Sequence, residues 1–141
     1  VVRVEKAPTY VPAQSAELLA SYGGLSWHLY ESYRNGAQTV GRWVHNSSRI
    51  RWRLHVAEAG SYTLYASLGT TDAQAGATAR FEAAGHSVEF TTVSTGQYSE
   101  GFTHRVGTLE LPGGEIELVL SSPQVTRFFP NVHHLILVPE A

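Results

Sequence analysis

Aromatic rings in polar, turn-rich segments are the groups of this sequence best placed for chemistry at a surface. Tyr98 lies in STGQYSEG, where glycines and hydroxyl residues predict a loop, and Phe128 lies in a second predicted loop, SPQVTRFFPN. An exposed ring stacks on the apolar face of a pyranose, while nearby polar groups hydrogen-bond its hydroxyls. Arg127 stands beside Phe128, and Glu100 and His104 follow Tyr98. Such a combination of aromatic and polar side chains is suited to bind a sugar. The alternative is that the aromatic side chains fold back and pack on the core.

Signatures of catalysis are missing from the sequence. It contains no Gly-x-Ser-x-Gly turn, no His-Glu-x-x-His motif and no glycine loop of the phosphate-binding type. A glycosidase needs two carboxylates across a cleft, and no two of the glutamates stand out as such a pair. We therefore expect the isolated domain not to be an enzyme. A small hydrolase, the second alternative, would need facing carboxylates or an organised Ser/His pair.

Two alternating runs of residues are the clearest elements that could position these loops. From Arg49 to Val56 every second residue is apolar, and the alternation resumes from Ser61 to Leu68 after a short connection that contains Gly60. This period of two predicts strands with one buried face, and the short connection predicts an antiparallel hairpin. The residues expected to face the core are Ile50, Trp52, Leu54, Val56, Tyr62, Leu64, Ala66 and Leu68.

The charge pattern argues against a nucleic-acid partner. Ten basic and twelve acidic residues give a formal net charge of -2. Arg49, Arg51 and Arg53 nevertheless form a one-sided stripe on the first strand of the hairpin. Such a stripe could bind sulfated or uronic-acid glycans. We favour the interpretation that it is a solvated sheet face, neutralised by glutamates on neighbouring strands.

Length and turn spacing predict one all-β domain over the 141 residues. Strand-like segments recur at residues 27–33, 39–45, 49–56, 61–68, 77–84, 87–92, 102–111, 115–120 and 131–138, which predicts a sandwich or barrel. Residues 1–12 contain two prolines and are expected to be a linker or an edge strand, ahead of a single domain over 13–141. Residues 13–21 hold the only predicted helical turn. Cysteine is absent, and no apolar run has the length of a membrane span.

Four short patterns, taken in their order along the chain, resemble the carbohydrate-binding modules of families 6 and 35. The patterns are VGRWVHNSS from Val40, WRLHVAEAGSYTL from Trp52, TGQY from Thr95, and LELPGGEIEL from Leu109 followed by NVHHLI from Asn131. The resemblance covers roughly residues 13–139. It implies a jelly-roll β-sandwich of two antiparallel sheets, of the galactose-binding-domain-like kind.

The resemblance also implies where a ligand would bind. Tyr98 matches the stacking tryptophan of the family, Trp43 lies beside its second stacking ring, and Asn131 matches an asparagine that contacts ligand. The alternatives are core packing for Trp43 and a turn-forming role for Asn131. The predicted carbohydrate-binding residues are Trp43, Tyr98, His104, Arg127, Phe128 and Asn131.

Calcium is the one metal that the resemblance raises, because these modules often hold it with N-terminal glutamates and an aspartate of the closing strand. Glu17 and Glu31 match the glutamates loosely, and His133 stands where the aspartate would be. Calcium requires several oxygen ligands, and Asp72 is the only aspartate of the chain. We therefore expect no cofactor, with a structural calcium ion as the alternative.

The function expected from the resemblance is non-catalytic binding of an oligo- or polysaccharide. The chain would be an accessory module of a secreted glycan-degrading enzyme, at the surface of a bacterium or outside it, with a neighbouring domain of a longer chain as a further partner. Neither a nucleic acid nor a membrane is expected as a partner. The first alternative is a structural or protein-interaction sandwich that binds no sugar, with Trp43, Tyr98 and Phe128 buried.

Overall fold

The computed structural model describes residues 1–19, 26–29, 38–41, 49–72, 75–96, 102–122 and 131–140. These residues form twelve strands and one 3-10 turn at Ala13–Ser15, and none of them belongs to a helix that could cross a membrane. The strands are β1 (Val2–Val4), β2 (Thr9–Pro12), β3 (Glu17–Leu19), β4 (Ser26–Leu29), β5 (Gln38–Gly41), β6 (Arg49–Val56), β7 (Gly60–Gly69), β8 (Thr78–Ala83), β9 (His86–Thr91), β10 (Phe102–Leu111), β11 (Gly114–Ser121) and β12 (Asn131–Pro139).

The strands form two six-stranded sheets. Sheet I has the order β1-β6-β11-β8-β9, with β3 also beside β6. Sheet II has the order β10-β7-β12-β5-β4, with β2 also beside β12. Every pair is antiparallel except β1 with β6, which run parallel. The all-β sandwich predicted from the sequence is confirmed.

One core between the sheets explains the alternating runs of the sequence. All eight residues expected to face inward from β6 and β7 are buried, and they pack in one cluster with apolar residues of the other strands. The indole Nε1–H of Trp52 donates a hydrogen bond to the carbonyl of Pro12 at 3.0 Å, so this ring is part of the core. The hydroxyl of Tyr62 donates to the carbonyl of Glu58 at 2.5 Å. The Gly-x-Tyr pattern therefore places a tyrosine that closes the turn of the hairpin and packs in the core.

The segment between residues 13 and 21 differs from the prediction. The helical turn stops at Ser15, and Ala16 is already extended, with φ −83° and ψ 152°. Strand β3 then pairs with β6, and its Glu17 faces Arg51. The helix prediction is wrong here because pairing with a neighbouring strand, supported by ion pairs, outweighs the local preference of an alanine-rich segment.

Two further features depend on contacts that no local pattern reports. Val4 in β1 and Val11 in β2 are fully buried, so both short strands of residues 1–12 pack on the core. Thr63 and Ser67, expected on the solvated face of β7, are only 7% and 2% exposed. Their strand lies between β10 and β12. In addition, the Glu140 side chain accepts a hydrogen bond from the Thr63 hydroxyl at 3.1 Å.

The two ends of the sandwich differ in their connections. Short turns at residues 57–59, 84–85 and 112–113 lie at one end, which we call the turn end. The strand ends that flank five longer connections lie at the other end, which we call the loop end. Each of these connections joins a strand of one sheet to a strand of the other: residues 20–25, 42–48, 70–77, 92–101 and 122–130.

Candidate functional site

The topology brings together, at the loop end, the strand ends that flank the predicted binding loops. Val40 pairs with Val132, next to the ends of the connections 42–48 and 122–130. Asn131 pairs with Gly69, and Phe102, which follows the connection 92–101, pairs with Leu68. Three connections that are far apart in sequence therefore start or finish on β5, β12 and β10, and β7, which ends beside them, lies between β12 and β10 in sheet II.

Most of the predicted binding side chains fall outside the described residues. Trp43, Tyr98, Arg127 and Phe128 belong to connections whose flanking strands end at the loop end, and so does Glu100. Asn131 is described only by its backbone, as the first residue of β12. The binding roles of these residues stay predictions, but the strand ends that flank them are close together.

The loop that carries Tyr98 is anchored at its start by Thr95. The Oγ1 of Thr95 accepts a hydrogen bond from the N–H of Thr70 at 2.9 Å and donates to the carbonyl of Thr70 at 3.1 Å. The N–H of Thr95 also donates to that carbonyl at 2.8 Å. Because Thr70 is fully buried at the end of β7, these bonds tie the TGQY segment to the rigid part of sheet II.

A second set of hydrogen bonds joins the same two connections. Asp72 accepts a hydrogen bond from the Ser94 hydroxyl at 2.5 Å, and the Ser94 Oγ accepts from the N–H of Gly96 at 3.2 Å. The Thr92 Oγ1 accepts from the N–H of Ala77 at 3.0 Å. The sequence reasoning missed these residues. The short polar segments TTD at 70–72 and TVST at 92–95 were the available signal, because hydroxyl and carboxylate side chains commonly bond to loop backbone.

His104 lies beside the loop end but points between the sheets. It pairs with Ala66, whose side chain is in the core, and its ring lies 5.2 Å from the ring of Phe90, centre to centre, with an angle of 33°. Partial burial lowers the pKa of His104, which favours the neutral imidazole. Its predicted role in sugar binding therefore rests on a half-buried ring that packs at the edge between β9 and β10.

The arginine stripe of β6 is largely neutralised. Glu17 accepts hydrogen bonds from Arg51 at 2.6 Å and from Arg53 at 2.9 Å, and Arg51 also lies 3.6 Å from Glu117. The hydrogen bond from Arg51 lowers the pKa of Glu17. The interpretation as a solvated sheet face is therefore confirmed for Arg51 and Arg53. Ion pairs this exposed contribute little stability.

The described candidates for calcium ligands do not fit a calcium site. Both carboxylate oxygens of Glu17 are bound by guanidinium groups on sheet I, whereas His133 is buried in sheet II. An imidazole is also a poor partner for a cation that requires oxygen ligands. Glu31 lies outside the described residues. Within the described ranges, no three acidic or histidine side chains group together as metal ligands would.

Solved structures similar to this one include carbohydrate-binding modules. The family 35 module from Clostridium thermocellum has a TM-score of 0.75 and 17% identity, over 95% of this chain and 99% of that one. The C-terminal family 6 module of the marine laminarinase LamC from Zobellia galactanivorans has a TM-score of 0.72 and 16% identity, over 93% and 98%. An exo-β-1,3-galactanase from Phanerochaete chrysosporium has a TM-score of 0.75 and 16% identity. The match covers 93% of this chain but only 29% of the enzyme.

Sequence comparison adds no closer relative. No protein-family model matches the sequence, and no curated protein matches it. At such low identities the structural likeness is a likeness of fold. The chain spans less than a third of the galactanase but almost the whole of the two separate modules. The predicted resemblance is thus confirmed at the level of the fold: the chain has the β-sandwich of family 6 and family 35 carbohydrate-binding modules.

Proposed function

We propose that this chain is a non-catalytic carbohydrate-binding module that takes a glycan at its loop end. The observation that supports the proposal is that the strand ends of β5, β10 and β12 lie at the same end of sheet II, because these ends flank the connections that contain Trp43, Tyr98 and the pair Arg127–Phe128. Loops on a rigid scaffold are where binding residues concentrate. The fold shared with whole carbohydrate-binding modules supports the same conclusion.

Each residue has a role in the proposed site. The rings of Tyr98 and Trp43 stack on apolar faces of sugar rings, with Phe128 as a third aromatic surface. Asn131 and Arg127 hydrogen-bond sugar hydroxyls. The bonds between Thr95 and Thr70 hold the start of the Tyr98 loop, which reduces the conformational freedom that binding must remove.

The same comparison supports a proposal for the biological setting. The laminarinase and the galactanase named above are glycan-degrading enzymes that contain this fold. We propose the corresponding role for this chain, as an accessory module of a secreted enzyme that keeps the catalytic domain close to its polysaccharide. The alternative, a sandwich that only packs against a neighbouring domain, requires that no glycan binds.

The test is a glycan array followed by calorimetry with the oligosaccharide that the array ranks highest. Tyr98→Ala is expected to lower the affinity at least tenfold, about 1.4 kcal/mol, with little change in Tm. Tyr98→Phe is the matched control and is expected to retain most of the affinity, because it keeps the stacking ring. If no glycan on the array binds, the alternative of a sandwich that only packs against a neighbouring domain is supported. If Tyr98→Ala keeps the full affinity, Tyr98 is not part of the binding site.

A further inference from the structure

Strand β9 forms one margin of sheet I, and β8 is its single paired neighbour in the described part of the chain. The margins formed by β1, β2, β3 and β4 are short there, with three or four residues each. The margin formed by β10 is interrupted, because its register shifts between Arg105 and Gly107. By contrast, β9 pairs with β8 over six residues without a shift and contains neither proline nor lysine. A regular strand without these protective features is a template for pairing with another chain.

The turn between β8 and β9 shows which backbone groups of β9 are available for such pairing. Ala84 and Gly85 connect the two strands and both have positive φ, 51° and 82°, as in a two-residue type I′ hairpin. In such a hairpin the residues on either side of the turn exchange both of their backbone hydrogen bonds. Every second residue from His86 onward therefore bonds to β8. The N–H of Thr92 fits this alternation, because it donates to the carbonyl of Ala77 at 2.9 Å.

Ser87, Glu89 and Thr91 therefore direct their backbone N–H and C=O groups away from β8. These groups have no hydrogen-bond partner within the described ranges, and the three residues are exposed. Strand β10 of sheet II approaches β9 from the core side, at Val88 and Phe90, and does not pair with it. The outer margin of β9 is therefore open to a further strand.

Two copies of β9 can pair in antiparallel orientation without placing like charges opposite each other. Glu89 is the one charged residue on the exposed face of the strand, and the guanidinium of Arg80 lies 3.8 Å from its carboxylate. A pair centred on Phe90 places Glu89 opposite the second copy's Thr91 and Phe90 opposite its own counterpart. Val93, which is 50% exposed, is then covered by the second strand. The formal net charge of -2 opposes such self-association only weakly.

We propose that β9 is a self-association surface, through which two copies of this chain pair about a twofold axis at Phe90. Glu89 of each copy exchanges both backbone hydrogen bonds with Thr91 of the other, and the two copies of sheet I become one continuous sheet. The interface is the same on both copies, so pairing occupies both margins and ends at a dimer. Because the strands are antiparallel, the two loop ends point in opposite directions. The inference does not depend on glycan binding at the loop end.

We expect this dimer to be weak. Stable protein interfaces bury about 1,200–2,000 Å², and a strand margin of six residues contributes much less than that. We therefore expect a Kd of about 0.1–1 mM, in the range of transient contacts. Such an affinity becomes significant where two copies are tethered close together, because tethering raises their effective concentration.

Two measurements on the 141-residue chain test the proposal. Sedimentation equilibrium is expected to show the mass rising from that of one chain toward that of two between about 0.05 mM and about 2 mM, on either side of the expected Kd. Hydrogen exchange followed by nuclear magnetic resonance locates the contact. The amides of Glu89 and Thr91 are expected to exchange about threefold more slowly at the higher concentration, because only the dimer protects them.

A pair of variants at one position separates backbone pairing from side-chain effects. Glu89→Pro removes an N–H that the pairing with β8 does not use, so the strand tolerates it, but the second copy loses a donor. It is expected to weaken association at least tenfold. Glu89→Ala is the matched control, because it removes the same side chain and keeps the N–H, and it is expected to associate at least as tightly as the parent. If Glu89→Pro does not fold, Thr91→Pro at the end of the strand replaces it.

Three results would overturn the proposal. The first is a chain that stays monomeric up to about 2 mM, where a Kd in the expected range gives mostly dimer. The second is equal association of the proline and alanine variants. The third is a rise in mass without slower exchange at Glu89 and Thr91, which would place the contact between copies elsewhere on the molecule.

Discussion

Replacing Thr95 with valine tests the hydrogen bonds between Thr95 and Thr70 separately from the packing of the Thr95 side chain. Valine keeps the branched shape of threonine but removes the hydroxyl that bonds Thr70 at 2.9 Å and 3.1 Å. The carbonyl of Thr70 retains its bond from the N–H of Thr95 at 2.8 Å. The N–H of Thr70, which lies in a fully buried residue, loses its acceptor.

The expected cost follows from that buried donor. An unpaired buried N–H destabilises a protein by about 1–3 kcal/mol, so we expect a loss of about 1.5 kcal/mol in the free energy of unfolding. Unfolding 141 residues has an entropy of about 0.3 kcal/mol/K. The same loss should therefore lower Tm by about 5 °C. Because Thr95 anchors the loop of Tyr98, we also expect a severalfold loss of glycan affinity.

Urea unfolding and calorimetry with the array ligand measure the two effects. Thr70→Val is the matched control, because the Thr70 Oγ1 is buried without a hydrogen-bond partner in the described part of the chain. The same chemical change is expected to leave stability unchanged there or to raise it by up to about 1 kcal/mol. Thr95→Val should lower the free energy of unfolding by at least about 0.3 kcal/mol, and by more than Thr70→Val does. A smaller loss, or equal losses in the two variants, would show that the Thr95 hydroxyl does not stabilise the loop.

Three further predictions concern the scaffold. Tyr62→Phe removes the hydroxyl that bonds the carbonyl of Glu58 and should cost about 1 kcal/mol in urea unfolding; an unchanged midpoint would contradict this. Gly107→Ala places a Cβ 3.1 Å from Cγ1 of Val88 and should cost about 1 kcal/mol, which Val88→Ala should relieve in a double-mutant cycle; additive losses would exclude the clash. Burial lowers the pKa of His134, so the unfolded chain takes up more protons and stability should fall as the pH drops below about 6.5. His134→Gln should lose less stability than the parent between pH 7 and 5, and equal slopes would contradict the assignment.

The elements that sequence predicts well are those whose pattern is local. The alternation from Arg49 to Val56 gives the bounds of β6, and the predicted span of β10 also agrees with the structure. Both strands have one face in the core, so apolar and polar residues alternate along their sequences with a period of two. The short strand β3 could not be read in this way, because pairing with β6 replaces a helical preference there.

For the candidate site, the sequence predicts the types of the residues. It does not predict which segments come together in the fold. Glycine and hydroxyl residues around Tyr98 indicate a loop without any structure. The frame of that loop, however, joins Thr70 to Thr95 across 25 residues of sequence. Likewise, the order of the strands in sheet II depends on pairing between segments far apart in sequence, which no single segment encodes.

The most direct test of the central claim, that the loop end binds a glycan, is chemical-shift mapping with the oligosaccharide that the array ranks highest. We expect saturable shifts at backbone amides of the loop end, among them Asp72, Thr95 and Gly96, with the turn-end amides of Gly85 and Gly113 unchanged. Binding that saturates while the loop-end amides stay in place would contradict it.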